Sequence, residues 1–426
     1  MSSFYLSNAY QPPRAPEILL LKQAWALLGN LSPQAFMRDY WHKQPFLVRG
    51  AIPAFAQAKA LGHPLESPLS AKTLLSMACS GNCEARLVQS KPWRLTDFGS
   101  SPMRRKDLPT LDLPNWTLLI QGVEAHQAAA AKILSWFRFI PDARLDDLMV
   151  SLAGTGGGVG PHSDSYDVFL IQMAGRRKWS ISSQNDLKLR AGLPLKILQN
   201  FKAQQEWVLE PGDLLYLPPH TPHNGVALDA GCQTWSVGFR APSYRELLQE
   251  GLWRLAESLE DIPALKAFYA DPQQYATAHP EVLPQELIKQ LTKQLKSLDL
   301  NDINQFLLGI SAYLSEPKPS AFFMQPPQAL SYPQFIRRLC TTPLRPHPLS
   351  RLICHQDQVF CNGENMTQAA TPLTQGLWQS LAAKQIITPL TKEVKKYLLQ
   401  QPSLGHLSNS IYSAYAAGWL IFEPFG

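Results

Sequence analysis

Between residues 146 and 240 the chain is a series of short apolar runs broken by glycine and proline: DDLMVSL, DVFLIQM, RKWSIS, EWVL, DLLYLP and TWSVGF. Each is rich in β-branched or aromatic residues, bounded by turn formers and too short for a stable helix, which is the pattern of strands. Packed into one block, they predict a sandwich, jelly roll or small barrel. After Ala241-Pro242 the period changes. Ser243-Tyr244-Arg245-Glu246 reads as a capping box, and Leu248, Leu252, Leu255 and Leu259 continue at helical spacing. A second helix is expected through Leu287, Leu291, Leu295 and Leu298, and a third from about Asn301 to Leu314. Apolar stripes of this kind face either the molecule's own core or a second copy.

SEPKPS (315–320) reads as a linker. Beyond it, helices near 331–340 and 374–385, short strands around RLICHQDQVFCNG and a closing AGWLIFEP suggest a small α+β module of winged-helix type. At 426 residues the chain is long enough for two or three domains. The expected organisation is α+β: a barrel domain over 1–240 with an N-terminal helical and extended elaboration, a helical domain over 241–316 and a winged-helix-like domain over 317–426.

The chemistry gathers around GVGPHSDSYDVF (158–169). In an extended backbone, residues two apart point to the same side, so His162 and Asp164 can offer an imidazole and a carboxylate to one ion. With ten histidines and 33 acidic residues, about one such pair is expected by chance, and His355-Gln356-Asp357 is a second copy. Only the first copy has a glycine-rich entry, GTGGGVG. That run lacks the Gly-Lys-Ser/Thr ending of a phosphate loop and leads into a strand, so it reads as a close backbone approach to the site. Downstream, EPGDLLYLPPHTPH (210–223) offers a turn, a strand and two histidines. The residues themselves leave His220 and His223 open as the third ligand. Two histidines and a carboxylate on one face suit a non-haem Fe(II) site. His355 has no such company, and Cys354 and Cys361 beside it lack the paired spacing of a zinc site.

The net charge of +6 permits an acidic partner without requiring one. The basic residues Lys392, Lys395 and Lys396 fall on one amphipathic helix, where a solvated face explains them. Six scattered cysteines, a polar N-terminus and an apolar run (Ile18–Leu28) interrupted by Lys22 predict a soluble cytoplasmic protein with no membrane span.

RLDDLMVSLAGTGGGVGPHSDSYDVFLIQMAGRRKW (144–179) resembles the JmjC-type ribosomal oxygenases, specifically the bacterial arginine hydroxylases of that group. DYWHKQPFLVR (39–49) is similar to their N-terminal signature, LEPGDLLYLPPHTPHNG to their distal-histidine strand, and SVGFRAP to the end of their barrel. The likeness runs from about residue 30 to 245, with a looser match of domain order beyond. It implies a double-stranded β-helix of the cupin or jelly-roll kind, with Fe(II), 2-oxoglutarate as cosubstrate and O2. Counting from Pro218, it selects His223 over His220, so the implied metal and catalytic set is His162, Asp164 and His223.

The resemblance places Arg177 on the far carboxylate of 2-oxoglutarate, where related eukaryotic enzymes generally carry lysine. A guanidinium suits a carboxylate through two parallel N–H donors. Alternation puts Arg176 and Lys178 on the opposite, solvated face. Ser236 and Thr234 on the closing strand are candidates for added hydrogen bonds to the cosubstrate. The implied reaction is hydroxylation, at the β-carbon, of an arginine of large-subunit ribosomal protein L-sixteen, by a homodimer joined through the helical domain. A bound guanidinium wants a carboxylate and an aromatic face, for which Tyr166 and Asp167, or Asp146 and Asp147, are the candidates. The rivals are a protein histidine hydroxylase or lysine demethylase on the same scaffold, and a non-catalytic ribosome-assembly or nucleic-acid-binding factor.

Overall fold

The computed structural model describes residues 20–64, 66–97, 102–259, 263–270, 272, 276, 283–297, 303–319, 321–368, 372–391 and 407–423. Lys392, Lys395, Lys396 and Leu298 lie outside the described residues. Helices α1 (Pro33–Asp39), α2 (Pro53–Ala60), α3 (Ala71–Ser80) and α4 (Ala128–Ser135) form the N-terminal elaboration. The strands before residue 240 are β1 (Phe46–Val48), β2 (Ala85–Ser90), β3 (Trp93–Asp97), β4 (Trp116–Ile120), β5 (Leu145–Ala153), β6 (Asp167–Ala174), β7 (Arg177–Ile181), β8 (Gln205–Leu209), β9 (Leu214–Leu217), β10 (His223–Ala227) and β11 (Cys232–Phe239). They form a sheet in the order β1-β9-β6-β11-β5-β4-β2-β3 and a smaller one in the order β10-β7-β8. This is the jelly-roll barrel the strand density predicts.

Every strand expected between 146 and 240 is present; β10, which carries His223, is an addition within that block. Its sequence, HNGVA, has a histidine, an asparagine and a glycine where a strand normally shows apolar alternation. Pairing with β7 along its whole length holds it extended.

Alternation sorts the side chains. Phe169, Ile171 and Met173 of β6, with Trp235, Val237 and Phe239 of β11, enter the main core against the helices, while Val168 and Leu170 face the smaller sheet with Trp179 and Ile181. Both faces of β6 are therefore covered, which is why DVFLIQM is almost continuously apolar. Each such large side chain contributes roughly 1.5–3 kcal/mol on burial.

The DYWHKQPFLVR stretch works as a clamp on this sheet. Ser32 caps α1 by accepting from Ala35 N at 3.1 Å, with Pro33 in the first turn. Phe36 then packs at 5.0 Å, ring centre to ring centre, from Tyr216 and 5.4 Å from Phe169. β1 adds to β9 by pairing Phe46 with Tyr216, and Arg49 meets Asp213 at 2.6 Å.

By internal contacts the chain divides into two compact units, one of residues 1–241, 318–350 and 383–426 and the other of 242–317 and 351–382. The final 110 or so residues are thus shared between units rather than forming one body. The second unit is built on α5 (Tyr244–Ser258), α6 (Gln285–Ser297) and α7 (Ile303–Ser315), with the hairpin strands Leu352–His355 and Gln358–Cys361. The first unit also holds α8 (Tyr332–Leu339) and the paired strands Leu344–Pro346 and Leu420–Phe422. Ser243 caps α5 by accepting from Glu246 N at 3.1 Å, but the Glu246 carboxylate accepts from the Tyr313 hydroxyl instead of closing the expected box. Gly251 lets α5 and α7 approach, because a Cβ there would stand 2.3 Å from the Phe306 ring. Leu248, Leu252, Trp253, Leu291 and Leu295 remain exposed within the chain.

Candidate active site

His162, Asp164 and His223 are brought together at the mouth of the barrel, with one ligand atom from each within 4.8 Å of the others. Both Nε2 atoms lie 3.7 Å from Asp164 Oδ2. The backbone fixes this convergence: His162 N donates to His223 O at 2.9 Å, and His223 N returns the bond to His162 O at 2.8 Å. Each ring also has its Nδ1 tied 2.8 Å from a carbonyl, Gly160 O for His162 and Thr221 O for His223. With Nδ1 donating, each Nε2 keeps a lone pair for a metal. Burial, then the neighbouring His162, pulls His223 down to about 3, so its ring is neutral at physiological pH. Neutral imidazoles and a carboxylate form a donor set that fits Fe(II).

The glycine run is explained by crowding. A Cβ on Gly157 would lie 2.0 Å from Trp116 O, and one on Gly158 would lie 2.4 Å from Gly225 O. Gly156 N donates to Ala227 O at 2.8 Å and Gly157 O accepts from Ala227 N at 2.9 Å, so the run threads between the two sheets on its way to His162.

His220 does not join the cluster. It occupies a turn at φ +61°, its backbone N donates to Asp164 O at 2.7 Å, and its side chain is exposed. His355 and Asp357 fall in the hairpin of the second unit, and among the described residues no third ligand joins them.

Arg177 points into the barrel, 4% exposed, with one terminal nitrogen 3.5 Å from Ser151 Oγ and its Nε without a partner. Thr117 Oγ1 and Trp179 Nε1, on inward positions of β4 and β7, also lack partners. Unpaired buried donors in one interior are costly unless a ligand meets them. They fit a carboxylate held next to the metal site. Ser236 faces the same interior from β11, between Met149 and Leu170 in the register. The Thr234 hydroxyl is already committed to Gln172 Oε1 at 2.9 Å. Sequence reasoning missed Thr117, Ser151 and Trp179. The usable signal was a hydroxyl on the inward parity of an otherwise apolar strand, as in WTLLI and LMVSLA.

The four candidates for a substrate cation separate. Asp167 is corrected: its side chain is fully buried, accepting from the Tyr216 hydroxyl at 2.6 Å and lying 2.8 Å from His42 Nε2 and 3.3 Å from Arg144. Burial pushes its carboxyl up, and these partners hold it back. It locks the N-terminal clamp to β6 and has no free edge for a guanidinium.

Asp146 and Asp147 sit on a β-bulge. Val237 pairs with Leu148 and Phe239 with Leu145, so two aspartates oppose Gly238 alone and both turn toward it. Lys318 Nζ is 3.0 Å from each carboxylate. Behind them Glu124, buried and beside Asp147, is raised to about 8 and accepts from Leu148 N at 3.0 Å. Tyr166 is 40% exposed, and its hydroxyl is pushed up by desolvation and by Asp164, Asp147 and Asp146.

A family model described as a JmjC domain matches residues 132–247, and one described as an AraC-like ligand binding domain matches 201–302. The chain is 32% identical over 397 residues to the Escherichia coli "Ribosomal protein uL16 3-hydroxylase", an alignment covering 89% of this chain and 96% of that one. A "Probable ribosomal oxygenase" of Haemophilus influenzae is 32% identical over 231 residues, 53% of each chain. Among solved structures, the Escherichia coli ribosomal oxygenase YcfD in complex with cobalt and 2-oxoglutarate superposes with a TM-score of 0.70 at 28% identity, covering 92% of this chain and 98% of that one. No helix among the described residues is long and apolar enough to cross a membrane.

Proposed function

The chain belongs to the JmjC-type ribosomal oxygenases, and from that premise we propose that it is an Fe(II)- and 2-oxoglutarate-dependent hydroxylase of an arginine, at the β-carbon, in large-subunit ribosomal protein L-sixteen. The observation that carries the reading is the convergence of His162, Asp164 and His223 at the mouth of a barrel whose interior holds a buried, incompletely paired Arg177.

In this reading His162, Asp164 and His223 hold the iron. Arg177 receives the far carboxylate of 2-oxoglutarate, with Ser236, Ser151 and Thr117 as neighbouring hydroxyls. When bound, iron with 2-oxoglutarate and oxygen supplies the oxidising power to hydroxylate an unactivated C–H bond, leaving succinate and carbon dioxide. The protein positions and shields. The Nδ1 bonds keep both rings from turning, and the Trp179 ring, 5.8 Å from that of His223, keeps water from that side. Tyr166 and the Asp146–Asp147 pair take the guanidinium, the aromatic face and the carboxylates meeting its two recognition needs.

The test is succinate release coupled to addition of one oxygen atom to the arginine of an L-sixteen peptide. Turnover of a histidine peptide, or methyl loss from a methyl-lysine peptide, in its place would overturn the substrate assignment. A catalytically inert scaffold predicts no succinate above background and no change on His162→Ala.

The helical segment 241–316 is assigned to homodimerisation, supported by exposed apolar side chains on α5 and α6, among them Trp253 at 66% and Leu291 at 59%. Trp253→Glu then yields a monomer in sedimentation. The segment 317–426, divided between the two units, is assigned a winged-helix-like protein-contact role, and the enzyme is assigned to the cytoplasm, supported by its ribosomal substrate.

A further inference from the structure

We propose that Lys318 is a built-in occupant of the substrate's cation seat, which the incoming arginine displaces. The proposal rests on the reading above, in which Asp146 and Asp147 receive the guanidinium.

The geometry is that of a ligand mimic. Consecutive residues on a regular strand face opposite ways, yet the bulge turns both aspartates toward Gly238, and a Cβ on that glycine would stand 3.9 Å from Asp146 Cβ and from Asp147 Oδ1. The result is a two-carboxylate seat on β5, the strand whose Ser151 lies 3.5 Å from Arg177 in the barrel interior. One ammonium fills it, bonded evenly to both carboxylates at 3.0 Å.

Two features mark this ammonium as displaceable. It is carried by an irregular segment rather than a strand or helix, and its side chain, 28% exposed, already reaches water. An ammonium is also a point charge, while a guanidinium offers two parallel donors to paired oxygens. Both cannot sit at bonding distance from the same carboxylates. A cation faces the aspartate pair in both states: Lys318 before substrate arrives, and the substrate's arginine afterwards. An internal competitor of this kind lowers the apparent affinity of every cationic side chain by the same factor, leaving the chemical step alone.

Lys318→Gln is expected to lower KM for an L-sixteen peptide by roughly three- to tenfold with kcat unchanged. Lys318→Arg keeps a cation in the seat, so its KM stays at or above that of the parent. In the unmodified chain, acylation of Lys318 by an amine-reactive acetyl ester, followed by peptide mass spectrometry, should accelerate when N-acetylarginine amide or the L-sixteen peptide is added. A KM raised by Lys318→Gln, or Lys318 labelling unchanged or slowed by a peptide that is turned over, overturns the proposal and makes the lysine a structural strut. Should Lys318→Gln fail to fold, the labelling experiment decides by itself. Succinate release monitors the function separately: faster labelling without succinate rejects the substrate assignment while keeping the displaceable seat.

Discussion

His162-Ser163-Asp164 and His355-Gln356-Asp357 have the same spacing and different surroundings. The first lies in an extended entry held by two backbone hydrogen bonds to His223, so a third ligand arrives from a distant strand. The second straddles a hairpin turn in which Gln356 has φ +52° and His355 pairs with Gln358. A tight turn does not keep residues two apart on one side, and among the described residues no further ligand joins this pair. The comparison teaches that a ligand pair becomes a site when the fold delivers its missing member, with the lone pairs already aimed.

The strongest test is to remove both motifs. His162→Ala or Asp164→Ala should abolish cobalt binding in calorimetry and cut succinate release by on the order of a thousandfold or more. His355→Ala and Asp357→Ala should leave both intact, and activity lost in the second pair breaks the comparison. Next in size, Arg177→Met should raise KM for 2-oxoglutarate by roughly 10- to 100-fold, because a buried carboxylate loses its charged partner. Arg177→Lys should recover part of that, since the charge returns without the fork.

A smaller effect separates the two aspartates on either side of Tyr166. Asp164 belongs to the His162–Asp164–His223 cluster, Asp167 to the clamp. Asp167→Asn should destabilise the fold by about 2–4 kcal/mol in denaturant titration, because Tyr216, His42 and Arg144 lose a buried charge, while KM for the arginine peptide stays within about twofold. An Asp167→Asn chain with unchanged stability and a greatly raised peptide KM would return Asp167 to the substrate site. Smallest of all, His220→Ala should change activity by less than about twofold, its contact with Asp164 being through backbone.

Much of this is legible in the sequence. Short runs separated by glycine and proline marked the barrel strands, because alternation and turn chemistry are local. The helices after residue 241 were marked by their apolar period. What sequence reading passed over has physical causes. β10 has a poor strand composition and is extended because β7 and the Trp179 ring above Gly225 hold it there. The expected capping box is half formed because Tyr313, far along the chain, claims Glu246.

Spacing and long ordered motifs are enough to read the barrel, the His162–Asp164 pairing, the inward parity of Arg177 and the family. The roles of the other acids come from the folded chain. Asp167, three residues from Asp164, is sealed in a clamp; Asp146 and Asp147 share one side because a bulge breaks the alternation; and Lys318, from the far end of the helical segment, is delivered to them. Burial, register slips and partners distant in sequence set those outcomes, and none of them is encoded in local spacing.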